Sequence, residues 1–240
     1  MNFFENLAAQ FKQNFIDDNR WQYLVRGLGT TLLITVLALL LGLVLGFVTA
    51  IVRSTHDKVC TQKGGHFFLR LGNVIARVYL TIIRGTPTTI QLLIIYFVIF
   101  GSVNINKVVC AVLAFGINSG AYIAEIIRSG IMSIDNGQTE AGRSLGFSFR
   151  RTMALIILPQ ALKNVLPALG NEFIVLLKET SISGYVSLMD ITRAGYIIQG
   201  QTYSPFMPLI AVALIYLVIV MGLSKLLTLL ERRLAKNDKR

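Results

Sequence analysis

Long uncharged, apolar stretches recur along this chain at spacings that a lipid bilayer dictates. No charge interrupts Gly27 to Val52, between Arg26 and Arg53. As a helix those residues would extend about 39 Å, more than the roughly 30 Å hydrocarbon core, so the first span must tilt or extend past it. A second span is predicted from near Pro87 to Val103. Thr86 is a candidate N-cap there, and proline at the first helical position needs no amide partner. After a short turn at Asn104 to Lys107, a third span runs from about Val108 to Ile127. A weaker fourth follows from about Ala161 to Leu177, and a fifth from Phe206 to Leu226. Ahead of them all, Phe3, Leu7, Phe11 and Phe15 repeat every fourth residue, which places them on one helical face, with Trp21 and Tyr23 behind. That pattern predicts an amphipathic helix lying at the membrane surface, with aromatic anchors at the interface.

The charges between the spans give an orientation. The segment 1–26 carries three basic and three acidic residues, net zero. The loop from Arg53 to Arg84 has six basic residues and one acid, and the next turn has only Lys107. The stretch from Arg128 to Lys163 is net +3, that from Lys178 to Arg193 is net zero, and the tail from Lys225 onward is net +4. Basic segments alternate with poor ones, and lysine and arginine collect on the cytoplasmic side. The expectation is an all-α integral membrane protein of five transmembrane helices, N-terminus outside and C-terminus cytoplasmic. Residues 1–26 would be interfacial, 27–230 membrane-embedded, and 231–240 a basic cytoplasmic tail.

Composition agrees. The chain is 54% hydrophobic and 15% charged, where soluble domains carry roughly 25% charged residues. The formal charge of +11 would point to nucleic acid in a soluble protein. Here the loops account for it. No cleavable signal peptide is apparent in the first residues. Cys60 lies in a basic loop and Cys110 in an apolar run, which reads as two unlinked thiols. The two histidines, His56 and His66, share one basic loop, so no span offers a histidine base for serine chemistry. The chain has no HExxH, no Cys/His cluster for a metal and no GxxxxGK[ST] phosphate loop. No catalytic residue is expected.

One segment between spans is too long for a turn and too polar to cross. Asp135 with Gln138 three residues later is a capping-box-like start, and a helix from Asn136 to Leu145 would follow. Gly146 is placed to cap it in the left-handed region, with Phe147 packing back. A second helix should begin after Ser148 and end before Pro167, kinked or restarted at Pro159. The stretch reads EAGRSLGFSFRRTMALIILP. It resembles the EAA loop of ABC importer permeases: EAA, three residues, Gly, nine residues, Ile, one residue, Leu-Pro. Glu140, Ala141, Gly142, Gly146, Ile156, Leu158 and Pro159 occupy those positions, with Gly142 standing for the second alanine, a mild change that should weaken the helix slightly.

Other stretches are similar to the polar amino-acid branch of that family: Arg84-Gly85-Thr86-Pro87 with Gln91, Asn118-Ser119-Gly120-Ala121-Tyr122 with Glu125 and Arg128, and Leu169-Gly170-Asn171-Glu172-Phe173 followed by Lys178-Glu179-Thr180-Ser181. The resemblance covers most of the chain from Gly27 onward, although the loop from His56 to Gly72 is longer than usual. It implies a multi-pass permease subunit in a bacterial cell membrane. Its coupling loop, at about 135–159, would dock a cytoplasmic ATPase through Glu140, Ala141, Gly142, Ser144, Leu145 and Gly146. ATP and magnesium would then sit on that partner, with no cofactor in this chain. A second permease subunit, identical or related, would complete the path, and an extracytoplasmic binding protein would deliver a polar amino acid. The alternative is an ion-coupled secondary transporter, for which five spans offer no simple inverted repeat.

Charged residues within spans need a reason. Glu125 is one turn from Arg128 and reads as an ion pair. Glu172 lies mid-span beside Asn171, after Pro167 and Gly170, where a broken helix could hold a ligand. Asn164, Asn171 and Lys178 recur every seven residues as a polar stripe. Two readings stand side by side: Glu172 pairs with a substrate amino group, or it makes a structural bond at an interface. Asn118 and Ser119 are further substrate-binding candidates.

Overall fold

A computed structural model describes residues 3–59 and 67–237. Residues 60–66 of the 56–72 loop, with Cys60 and His66, and the last three residues of the basic tail lie outside the described residues. The described chain is helical. Helix α1 (Phe3–Phe11) passes through a π turn (Lys12–Ile16) and a 3-10 turn (Asp17–Asn19) into α2 (Trp21–Val59). Then come α3 (Phe67–Gly85) and α4 (Thr88–Leu93), the latter extended by a π segment (Ile94–Ile99), and α5 (Lys107–Met132). The short helices α6 (Asn136–Ser144) and α7 (Phe149–Thr152) follow. A π turn (Met153–Ile157) leads from α7 into α8 (Leu158–Glu179), which a 3-10 segment (Thr180–Val186) prolongs, and the chain closes with α9 (Ile191–Thr202) and α10 (Phe206–Asn237).

Four helical stretches are long and apolar enough to cross a membrane: Trp21–Asp57, Lys107–Met132, Phe149–Val186 and Phe206–Leu234. A fifth span requires Phe67–Gly85 and Thr88–Ile99 to count together. This corrects two expectations. The stretch 53–84 is mostly helix rather than loop, because Arg70, Arg77 and Arg84 recur every seven residues and leave most of the rest of α3 apolar. The second span does not cross from Pro87 alone: α4 with its π extension would reach only about 18 Å at 1.5 Å per residue.

The chain also divides into two compact units, each assembled from three separate stretches. In the first (1–38, 88–115 and 174–225), Phe15, Leu24, Ile191, Ala194, Ile198 and Val212 form a core. Asp190 caps α9, its side chain accepting the amides of Thr192 and Arg193, both at 3.0 Å. Gly27 lets α2 touch this cap: a Cβ there would lie 2.7 Å from the Asp190 carbonyl oxygen. Thr31 Oγ1 accepts the Ile191 amide at 3.2 Å. The N-terminal segment is tied down by the buried Asn14, which accepts from Thr202 Oγ1 at 2.7 Å. Phe15 is buried while Leu7 and Phe11 stay exposed, so of these three only Phe15 meets protein.

In the second unit (39–87, 116–173 and 226–240), α2 and α5 pack through facing pairs of small residues. Gly42 and Gly46 on α2 and Gly116 and Gly120 on α5 are each four apart. A Cβ on Gly42 would sit 3.2 Å from the Gly120 amide, and one on Gly116 would overlap Leu41. Backbones approach this closely in lipid because dispersion contacts, not water exclusion, hold membrane helices together.

Helix α8 runs unbroken through Pro167 and past Gly170, contrary to the expected stop and break. Proline forfeits one intrahelical bond, and a membrane helix tolerates that loss when its neighbours hold it. Pro159 acts differently. It supplies no amide for the carbonyl four residues back, and the chain answers with the π turn just before it, where the Leu158 amide donates to the Met153 carbonyl.

Candidate functional site

The helix hairpin at 135–159 assembles from local bonds. The Asp135 side chain accepts the Gly137 amide at 2.8 Å and opens α6. At the other end Gly146 adopts φ +83°, the Gly146 amide donates to the Arg143 carbonyl at 3.0 Å, and the Phe147 amide donates to the Gly142 carbonyl at 3.1 Å. This pair of bonds is a Schellman motif, and it needs a residue without a Cβ penalty at the left-handed position. Ser148 then caps α7, its Oγ accepting the Arg151 amide at 3.4 Å. The turn between the two helices is therefore fixed rather than loose.

Among the six coupling candidates, Glu140, Ala141, Ser144, Leu145 and Gly146 are exposed and Gly142 is buried. Leu145 presents 76% of its surface, an apolar side chain at the tip of a polar helix. Gly142 has a role the sequence did not suggest. A Cβ there would lie 2.7 Å from Thr152 Cγ2 and 2.9 Å from Ile156 Cδ1, so the glycine lets α6 seat tightly on the second arm. Ile131, Ile157 and Ala161 form the core beneath, with Ile156 packed on it.

A polar interior lies between α5 and α8. Ser119 Oγ donates to Glu172 Oε1 at 2.7 Å, and Asn118, Ser119 and Glu172 are all buried. Glu172 lines a cavity of about 440 Å³ together with Arg84, Tyr122, Glu125, Ser129, Ser133 and Asn164. Asn164 Nδ2 donates to Ser133 Oγ at 2.9 Å. Asn171 stands apart from this group. It is exposed, as is Lys178, so of the expected stripe only Asn164 reaches the cavity that holds the buried carboxylate. Successive helical residues are about 100° apart, which is enough to send Asn171 and Glu172 to different surroundings.

Glu125 is not a simple pair with Arg128 but the hub of a network. Its Oε2 lies 3.3 Å from Arg53 and 3.6 Å from Arg84, and its Oε1 3.3 Å from Arg128. Arg128 also reaches Asp57 at 3.2 Å, and His56 Nδ1 lies 3.5 Å from the same carboxylate. The Arg84 guanidinium stands over the Tyr122 ring, 5.6 Å from its centroid. The ends of α2 and α3 are thus tied to α5 by charge. Sequence spacing could give the Glu125–Arg128 member, whereas the pairs Arg53–Glu125, Arg84–Glu125 and Asp57–Arg128 join residues 41 to 72 positions apart.

Four or five apolar stretches long enough to cross a membrane, a buried polar pair between α5 and α8 and a rigidly capped hairpin define a membrane transport subunit. Residues 65–236 match the family of binding-protein-dependent transport system inner membrane components, most of the chain. The chain belongs to that family, and is a multi-pass membrane protein. It is 42% identical to the arginine transport system permease protein ArtQ of Bacillus subtilis (strain 168) over 166 residues, 68% of this chain and 76% of that one. It is 39% identical to the glutamine transport system permease protein GlnP of Escherichia coli (strain K12) over 214 residues, 88% of this chain and 92% of that one. A solved amino acid ABC transporter, crystallised with histidines, superposes with a TM-score of 0.80 at 40% identity, covering 97% of this chain and 99% of that one. The ion-coupled alternative falls with this assignment: the chain is a transport permease of the ABC type, not a catalytic enzyme.

Proposed function

We propose that this chain is the membrane subunit of an ATP-driven importer of polar amino acids. The observation that carries the reading is the hairpin around Leu145 and Gly146, rigidly capped and exposed, on a chain whose close relatives are named as arginine and glutamine permeases. The charge pattern supports an N-terminus outside and a hairpin and C-terminus in the cytoplasm. There Glu140, Ala141, Ser144, Leu145 and Gly146 offer a docking surface to an ATPase, and Gly142 keeps it seated. ATP and magnesium bind on that ATPase. A second permease subunit, identical or related, closes the path, and an extracytoplasmic binding protein delivers the solute.

A rigid hairpin transmits motion as a lever. Closure of two ATPases on ATP pulls the hairpins together and turns the path outward, and hydrolysis resets it. Within the path Glu172, oriented by Ser119 and neighboured by Asn118, takes the positively charged group of the amino acid. Asn171, on the exposed side of α8, meets the second subunit instead. The test is co-purification with the cognate ATPase, comparing wild type with Gly146→Pro, which can neither adopt φ +83° nor donate its amide. A stable wild-type complex with substrate-stimulated ATPase activity, lost in a variant that still inserts, is the expected result. A wild-type chain that binds no ATPase and transports on an ion gradient alone would overturn the proposal.

A further inference from the structure

The Arg84–Glu125 contact has a second side. A cavity of about 490 Å³ is lined by Arg53, Arg77, Thr81, Arg84 and Glu125. Three guanidinium groups face one carboxylate, and that carboxylate is already shared with Arg128. Among the described residues no carboxylate pairs with Arg77, and Arg53 Nε is buried without a hydrogen-bond partner. The cavity therefore holds surplus positive charge and unused donors, in the fork geometry that suits phosphate.

The helix that builds it shows where the anion comes from. At about 100° per residue, Arg70, Arg77, Thr81 and Arg84 form one narrow stripe along α3. On one side of the stripe are the buried residues Asn73, Ala76 and Leu80. On the other are exposed apolar side chains, among them Val74, Val78 and Ile82, each more than half exposed. A phosphate seated on the stripe thus has protein on one flank and a hydrocarbon-facing surface on the other. A free anion has no use for the apolar flank; a phospholipid has, because its acyl chains leave in that direction. Glu125 lies two turns before the end of α5, which leads directly into the coupling hairpin, so the cavity sits at the hairpin end of its unit.

We propose that this cavity is a binding site for an anionic phospholipid of the cytoplasmic leaflet, its phosphate held by Arg53, Arg77 and Arg84 and its chains laid along the apolar face of α3. Basic pockets at the cytoplasmic ends of membrane helices hold anionic headgroups by the same chemistry. Bound there, the lipid neutralises the surplus charge around Glu125 and ties α3 to α2 and α5. The site rests on the cytoplasmic placement of the hairpin end and is independent of which solute is carried.

Native mass spectrometry of the detergent-purified transporter tests it, with phosphatidylglycerol, phosphatidylcholine and inorganic phosphate as probes. Wild type is expected to retain one phosphatidylglycerol per chain in preference to phosphatidylcholine. Arg77→Gln should weaken that retention about tenfold, the loss of one charge-assisted contact, because no carboxylate among the described residues pairs with Arg77. Arg70→Gln, on the same stripe but outside the cavity, should retain the lipid. Equal retention of both lipids, equal loss in the two variants, or displacement by millimolar inorganic phosphate would overturn the proposal. A photoreactive phosphatidylglycerol on wild type gives a second reading that needs no variant: labelling must fall within positions 53–85, and labelling confined elsewhere refutes the site. Neither readout uses transport or ATP, so failure here is distinguishable from failure of the importer reading.

Discussion

Gly146 offers a graded test of the hairpin. It holds φ +83°, and a Cβ built on it would meet nothing within 4 Å. Alanine there therefore causes no clash, and its whole cost is the left-handed backbone, about 1–2 kcal/mol for an L-residue. Asparagine enters that region more readily and should cost less. One to two kcal/mol corresponds to a factor of about 5–30 in the population of the capped turn. If the ATPase recognises only the capped form, its apparent affinity falls by up to that factor. The assay is titration of the cognate ATPase onto the permease in lipid nanodiscs, reading dissociation constant and substrate-stimulated hydrolysis together. The affinity order should be wild type, Gly146→Asn, Gly146→Ala, with unchanged thermal stability of the membrane-embedded helices. Affinities for Gly146→Ala within twofold of wild type, or a weaker Gly146→Asn than Gly146→Ala, would refute the view that the left-handed cap is what the ATPase requires.

Two further substitutions test the interior. Ser119→Ala removes the hydroxyl that donates to Glu172 at 2.7 Å and leaves a buried acceptor unpaired, a cost of about 1–3 kcal/mol. The melting temperature of the purified protein should drop by several degrees, whereas Glu172→Gln, which still accepts the bond, should drop it less; the reverse order would refute the pairing. Gly27→Ala drives a Cβ against the backbone of Asp190, which has no rotamer to move away, and should destabilise by about 1–3 kcal/mol. Gly29→Ala on the same helix meets nothing within 4 Å and should be neutral or slightly stabilising, so equal melting temperatures for the two variants would contradict the packing described.

Local bonding explains why so much of the hairpin could be read in advance. Every contact that builds α6 and its caps joins residues at most five positions apart, so Asp135, Gly146 and Ser148 carry their instructions in sequence order. The spans and the alternating charge were legible for a similar reason: solvation by lipid acts on each segment separately. Helix α3 was missed because its arginines lower the average hydropathy while occupying only one stripe.

The candidate interior was legible as a set of residue types and not as an arrangement. Ser119 and Glu172 are 53 positions apart, and whether they meet depends on how α5 and α8 are rotated about their axes. That rotation is set by packing, such as the close seat of Gly130 against Val165, and no periodicity in one segment encodes it. The same rotation sends Asn171 outward while its neighbour turns in, and brings Arg53 and Arg84 to Glu125. Gly142, which in sequence looked like a small loss of helix propensity, is the residue that lets the two arms of the hairpin touch. The sequence determined that the chain is built of long apolar helices and how the hairpin at 135–148 is capped. Only the tertiary structure decided which polar groups share a buried space, because that choice is made between faces of different helices.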